Sequence, residues 1–201
     1  MEVILATANE DKVKEIREIL PDSNIRFLTL TESGFVGQIV ETGRSFTDNA
    51  LIKARTVHRQ IGGYVLADDS GLSIDVLDGA PGVHSARFAG ENAGYPEKFA
   101  KLYGLLAPWP PEDWLASFIC VMALVRPDGR ESIVRGECRG RITPIMKGSN
   151  GFGYDPIFLL PDRGLTMAQI PPEEKHRISH RGRALRQIAE LLSVESSKEK
   201  G

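Results

Sequence analysis

Apolar positions recur along the 201-residue chain with two different spacings, one fitting helices and one fitting strands, and their order predicts an α/β protein. Residues 3–6 form a short apolar run that reads as a buried strand. Residues 10–20 place Val13, Ile16, Ile19 and Leu20 on one helical face, with Asn9 as N-cap and Pro21 as stop. Residues 27–40 are weakly patterned and include a further strand. Residues 45–60 predict a second helix, with a Ser45/Asp48 capping box and a buried stripe of Phe46, Ala50, Leu51, Ala54 and Val57. A strand over 64–67 is expected to end at Asp68, with residues 72–76 continuing beyond Gly71. A third helix over 96–106 turns Phe99, Leu102, Tyr103 and Leu106 inward.

Residues 114–125 and 133–138 read as an antiparallel pair around Pro127-Asp128-Gly129, and residues 141–146 extend the sheet. A short strand over 157–160 and a polar stretch as far as His176 lead to a last helix. That helix starts near Ser179 and buries Ala184, Leu185, Ile188 and Leu192. Residues 193–201 form a polar tail expected to fray. No repeat or low-complexity linker interrupts the pattern, so residues 1–192 are expected to form one cooperative unit around a mixed sheet.

Charge changes this picture little overall and more locally. Lys and Arg number 25 against 27 Asp and Glu, which leaves no basic field to hold a nucleic acid polymer. The late cluster Lys175, Arg177, Arg181, Arg183 and Arg186 suits a small anion instead. Cys120 and Cys138 fit no zinc spacing and read as free thiols in a reducing compartment. The start of the chain lacks a basic signal-peptide region, and its longest apolar run, 118–125, is too short to span a membrane. A soluble cytoplasmic protein, with neither membrane nor nucleic acid polymer as partner, is the expectation.

Chemistry concentrates in a few segments. In Ala67-Asp68-Asp69-Ser70-Gly71-Leu72, alternation along a strand sends the two carboxylates to opposite sides. One can enter a cleft while the other braces it, and Gly71 allows a sharp turn or a close ligand approach. Such a pair suits a divalent metal over a phosphate, although Asp pairs at strand ends more often serve turns and caps. Thr7-Ala8-Asn9-Glu10-Asp11-Lys12 offers amides and a hydroxyl at a helix N-terminus, with Lys12 as a point charge. It is not a Walker loop, and on spacing alone a capped helix with a solvated lysine is the simpler account. Glu41, in Glu41-Thr42-Gly43, could complete a magnesium site with Asp69, or stand in a surface turn. Lys53 could reach a phosphate from the second helix.

The segment Gly148-Ser149-Asn150-Gly151-Phe152-Gly153-Tyr154-Asp155-Pro156 lets backbone approach a ligand while a ring offers a stacking face. Asp155, held extended before proline, could accept from a base edge; a hairpin loop with a buried Phe is the rival account. Near the last helix, Arg181 could donate a fork of hydrogen bonds to a purine carbonyl and His180 could donate or accept. A solvated basic face is the alternative, and the preferred one for Arg177 and Arg183.

Together the motifs are identified in family order: Thr7-x-Asn9-x-x-Lys12, Glu41-Thr42-Gly43, Asn49-Ala50-x-x-Lys53-Ala54, the Asp68-Asp69 segment, Gly79-x-Pro81-Gly82, Ser85-Ala86-Arg87, Gly151-Phe152-Gly153-Tyr154-Asp155-Pro156 and Ile178-Ser179-His180-Arg181. From Val3 to about Leu192 the chain resembles the inosine/xanthosine triphosphate pyrophosphatases, house-cleaning enzymes for non-standard purine nucleotides. The resemblance implies an ITPase-like bilobal α/β fold around a long mixed sheet, related to the Maf architecture, and a homodimer. It implies Mg²⁺-dependent hydrolysis of ITP, dITP and XTP to monophosphate and pyrophosphate. On it, Asp69 is the proton acceptor and a metal contact, and Glu41 the second metal contact. Thr7, Ala8, Asn9, Glu10, Asp11, Lys12, Lys53, Ser70, Phe152, Gly153, Tyr154, Asp155, Lys175, His180 and Arg181 bind the nucleotide. Three positions depart from the family pattern: Ala8 and Asn150 replace glycine, and Asp48 replaces glutamate. Water activated by Asp69 or the metal is expected to attack the α phosphorus, and Arg181 to read the 6-carbonyl, so that Arg181→Ala harms ITP use more than stability. The rivals are a silent nucleotide sensor and a pyrophosphatase for modified pyrimidine nucleotides.

Overall fold

Seven strands, some paired in parallel and some antiparallel, make a mixed sheet in the order β2-β1-β3-β4-β5-β6-β7. They are β1 (Glu2–Leu5), β2 (Arg26–Leu28), β3 (Tyr64–Ile74), β4 (Leu115–Val125), β5 (Glu131–Ile142), β6 (Phe158–Leu160) and β7 (Leu165–Thr166). The α-helices are α1 (Glu10–Ile19), α2 (Phe46–Ile61), α3 (Tyr95–Leu106), α4 (Pro172–Ile178) and α5 (His180–Lys198). The computed structural model describes residues 1–21 and 24–198. β1 pairs in parallel with β2 and with β3, whereas β5–β6 and β6–β7 are antiparallel. Among the described residues, no helix is long and apolar enough to cross a membrane.

The residues fall into two compact units: Met1–Asp69, Cys120–Gly136 and Arg181–Gly201 in the first, Ser70–Ile119 and Glu137–His180 in the second. In the first, Val3, Leu5, Leu66, Met122 and Leu124 from the strands pack with Ile16 of α1 and Leu185, Ile188 and Leu192 of α5. In the second, Leu72, Ile74, Phe118, Ile142 and Phe158 pack with Phe99, Leu102 and Leu106 of α3. The 3.6-residue spacing of the apolar positions in α1, α3 and α5 produces these faces. Both cysteines are buried free thiols.

Local signals set the helix starts. Asn9 accepts the Lys12 N–H at 3.1 Å, and Ser45 and Asp48 close a reciprocal capping box at α2. Four expectations need correction. β3 does not stop at Asp68 but runs to Ile74 with Gly71 inside it, because apolar residues flank the acidic pair on both sides and the carboxylates find cationic partners. The polar stretch before the last helix contains α4, which starts on Pro172, carries Glu173 and Glu174 in its first turn and Lys175, His176 and Arg177 in its last. That charge order complements the helix dipole without any apolar stripe. α5 continues past Leu192 to Lys198, with Glu195 accepting from Arg126 Nε at 3.0 Å; residues 199–201 of the expected tail lie outside the described residues. On α2 the buried stripe is Asn49, Ala50, Lys53, Ala54 and Val57, so two polar side chains replace Phe46 and Leu51.

Candidate active site

The first unit gathers its ionisable groups around the acidic pair. Alternation along β3 does separate the two carboxylates. Asp68 Oδ2 meets Lys12 Nζ at 3.0 Å and Arg181 Nη2 at 3.3 Å. Asp69 Oδ1 meets Lys53 Nζ at 3.3 Å, and its Oδ2 accepts from Asn49 Nδ2 at 3.2 Å. Glu41 Oε1 lies 3.2 Å from the same Lys53 ammonium, so Glu41 and Asp69 converge on one cation. Arg181 reaches past Asp68 to Glu15, which accepts from its Nη1. Asp68 and Arg181 are each 2 % exposed, which makes this a buried charge network.

The two aspartates are tuned in opposite directions. Burial pushes the Asp68 carboxyl upward, but the charges of Lys12, Arg181 and Lys53 outweigh it and hold the group well below the usual carboxylate range. For Asp69 burial prevails over Lys53 and Lys12, with Glu41 adding to it, and the carboxyl is raised above its ordinary value. Burial would favour a neutral Lys53, yet Asp69, Asp68 and Glu41 together keep the ammonium charged. A carboxylate held below the ordinary range thus stands next in sequence to one raised above it.

The segment before α1 keeps Thr7 half-buried and Ala8 and Asn9 exposed, as are Glu10 and Asp11 in the first turn of the helix. Thr7 Oγ1 accepts the Asn9 N–H at 3.2 Å, which shapes the loop before the helix N-terminus. Lys12, one turn in, is turned toward Asp68 rather than solvated.

The second unit holds a separate group. Lys175 Nζ is 2.7 Å from Asp155 Oδ2 and 5.0 Å from the centre of the Phe152 ring. The Phe152 N–H donates to the same Asp155 oxygen at 3.0 Å. Gly151 makes this possible: its φ is +73°, and a Cβ there would lie 2.1 Å from Asp155 Oδ2 and 2.8 Å from Lys175 Nζ. Phe152 and Gly153 are half-buried, so the ring keeps an accessible portion. Tyr154 is placed differently. It is buried, its hydroxyl donates to the Ser85 carbonyl at 3.0 Å, and its ring packs against Tyr95 and Phe99. His180 stacks on Phe118 with ring centres 5.0 Å apart, and Ser70 is half-buried on β3.

Two polar residues outside the expected site set enter the network: Glu15, against Arg181, and Asn49, against Asp69. Asn49 carried a signal, its place in the Asn49-Ala50-x-x-Lys53-Ala54 motif; Glu15, on a helix rich in surface charge, carried none.

Residues 3–191 match the Ham1 family. The chain belongs to that family. Its relatives include a dITP/XTP pyrophosphatase from Listeria monocytogenes serotype 4b, 45 % identical over 95 % of this chain and 94 % of that protein. Another, from Bacillus subtilis, is a dITP/XTP pyrophosphatase 43 % identical over 96 % of this chain and 98 % of its own length. Among solved structures, a HAM1 protein from Coxiella burnetii superposes with a TM-score of 0.88 at 44 % identity, covering 96 % of this chain and 98 % of that one. The Ham1 protein of Staphylococcus aureus gives 0.86 at 36 % identity, covering 97 % and 100 %. The mixed sheet and its flanking helices are therefore those of the Ham1 fold.

Proposed function

We propose that this Ham1-family chain hydrolyses non-standard purine nucleoside triphosphates (ITP, dITP and XTP) to the monophosphate and pyrophosphate, clearing them from the nucleotide pool with Mg²⁺ as its metal. The carrying observation is the convergence of Glu41 and Asp69 on one ammonium, beside an ionised Asp68 that holds Lys12. Two carboxylate oxygens aimed at one cation are a donor set that Mg²⁺ accepts, since it takes its remaining oxygens from phosphate and water. Glu41 and Asp69 would hold the ion, which supplies charge neutralisation at the phosphate oxygens.

The residues themselves account for the rest. Asp69, with its raised pKa, takes the proton from water attacking the α phosphorus. Lys12 and Lys53 offset the charge that grows on the departing pyrophosphate, and the amides of Ala8, Glu10 and Asp11 bind phosphate at the start of α1. Phe152, Gly153, Asp155, Lys175, His180 and Ser70 are proposed to serve the nucleoside. Tyr154 supports them through its core packing. The engagement of Arg181 with Asp68 and Glu15 favours a part in holding the charge network over reading the base. Homodimerisation and a cytoplasmic location belong to the same proposal and rest on family likeness; sedimentation checks the first.

Incubating the protein with a nucleotide panel and Mg²⁺ tests the reading. Pyrophosphate is expected from ITP, dITP and XTP with kcat/KM at least about 100-fold above ATP, whose 6-amino group cannot accept the backbone-amide hydrogen bond that a 6-carbonyl takes. Equal use of ATP, preference for a modified pyrimidine, or tight binding without turnover would overturn it. EDTA is expected to abolish turnover and added Mg²⁺ to restore it. Gly151→Ala, which forces Asp155 and Lys175 apart at a left-handed backbone position, is expected to raise KM for ITP by about tenfold. An unchanged KM would detach that loop from substrate binding.

A further inference from the structure

Asn49 occupies a position in α2 that its neighbours define closely. It is fully buried, its Oδ1 accepts the Gly43 N–H at 2.8 Å, and its Nδ2 donates to Asp69 Oδ2 at 3.2 Å. One amide thus ties the segment that carries Glu41 to the carboxylate of Asp69. The approach is tight: a Cβ on Gly43 would lie 2.6 Å from both Asn49 Oδ1 and Asp48 Cβ. With Oδ2 of Asp69 held by the amide, Oδ1 is the oxygen presented to the Lys53 ammonium at 3.3 Å, and Glu41 faces that ammonium from the other segment at 3.2 Å.

We infer that Asn49 is a positioning residue for the carboxylate pair: its amide fixes the spacing and orientation of Glu41 and Asp69, and with them the affinity for the divalent ion. The inference rests on the proposed reading of Glu41 and Asp69 as metal ligands. The residue type follows from the two bonds. Aspartate has no donor for a neighbouring carboxylate, leucine has neither donor nor acceptor, and glutamine is a methylene too long for a site without exposed surface. Partners that orient ligating carboxylates typically govern affinity by about 10–100-fold when removed. A side chain that merely satisfied buried polar atoms would change stability and leave metal affinity alone.

The test uses the full chain without nucleotide and Mn²⁺ as the probe, with free Mn²⁺ read by electron paramagnetic resonance. Asn49→Ala and Gly43→Ala are each expected to weaken Mn²⁺ binding by about tenfold or more. In turnover, added Mg²⁺ is expected to recover part of their lost rate, with KM for ITP little changed. Wild-type Mn²⁺ affinity in Asn49→Ala, alongside a loss in Asp69→Asn, overturns the role of Asn49 and leaves the metal reading standing. Wild-type affinity in Asp69→Asn overturns the metal reading and this inference with it. If circular dichroism shows Asn49→Ala unfolded, Gly43→Ala decides, and unchanged affinity there counts against the inference.

Discussion

Asp69→Asn is expected to fold like the parent, to bind ITP, and to lose about 10³-fold in kcat. The amide matches the carboxylate in shape but cannot take a proton from water. Folding should tolerate the change because burial, the largest influence on this group, already disfavours its charge. Lys53 keeps Glu41 as a counter-ion, so its ammonium is not stranded. Thermal melting, affinity for a non-hydrolysable ITP analogue, and steady-state kinetics separate these points. A variant that retains more than about a tenth of the parental kcat removes Asp69 from the role of base.

Arg181→Met should act first on stability. The guanidinium is buried against Asp68 and Glu15, two carboxylates that are themselves buried, and their charges hold it protonated against the pull of burial. Removing it leaves Glu15 and Asp68 short of positive charge in the interior, although Asp68 keeps Lys12, at a cost of about 3 kcal/mol. For a chain of this length the melting temperature should fall by about 10 °C. Adding Glu15→Gln should recover part of the loss, since one of the two carboxylates that faced the guanidinium loses its charge, and the coupling measures the pair. Urea titration of the single and double variants checks this. The sequence alone assigned this arginine to base reading, with ITP use harmed more than stability; its buried partners on α1 and β3 shift the expected effect. Undiminished stability together with a selective loss of ITP over ATP use would return it to that role.

The sequence was most informative where a signal is local. The Asn9 cap, the Ser45/Asp48 capping box and the apolar faces of α1, α3 and α5 depend on residues within a turn or two, and each is found as expected. The opposite orientation of Asp68 and Asp69 likewise follows from strand geometry alone. Signals that depend on remote partners were not readable. β3 passes straight through two adjacent acids because Lys12, Lys53 and Arg181, distant along the chain, neutralise them. Nothing local announces those partners, so a strand ending at Asp68 is the economical expectation. α4 is not legible in the apolar pattern because its helix signal lies in a leading proline and a gradient of charge. Asn49 and Lys53 fall outside the apolar spacing of α2, and only tertiary packing places them on its buried side.

Hydrolysis of ITP in water enriched in ¹⁸O, with Mg²⁺ present, tests the central claim most directly, because it locates the bond that water breaks. The expected products are IMP carrying one ¹⁸O on its phosphate and unlabelled pyrophosphate. Label in the pyrophosphate, or inorganic phosphate released with IDP, would contradict attack at the α phosphorus and the function proposed for this chain.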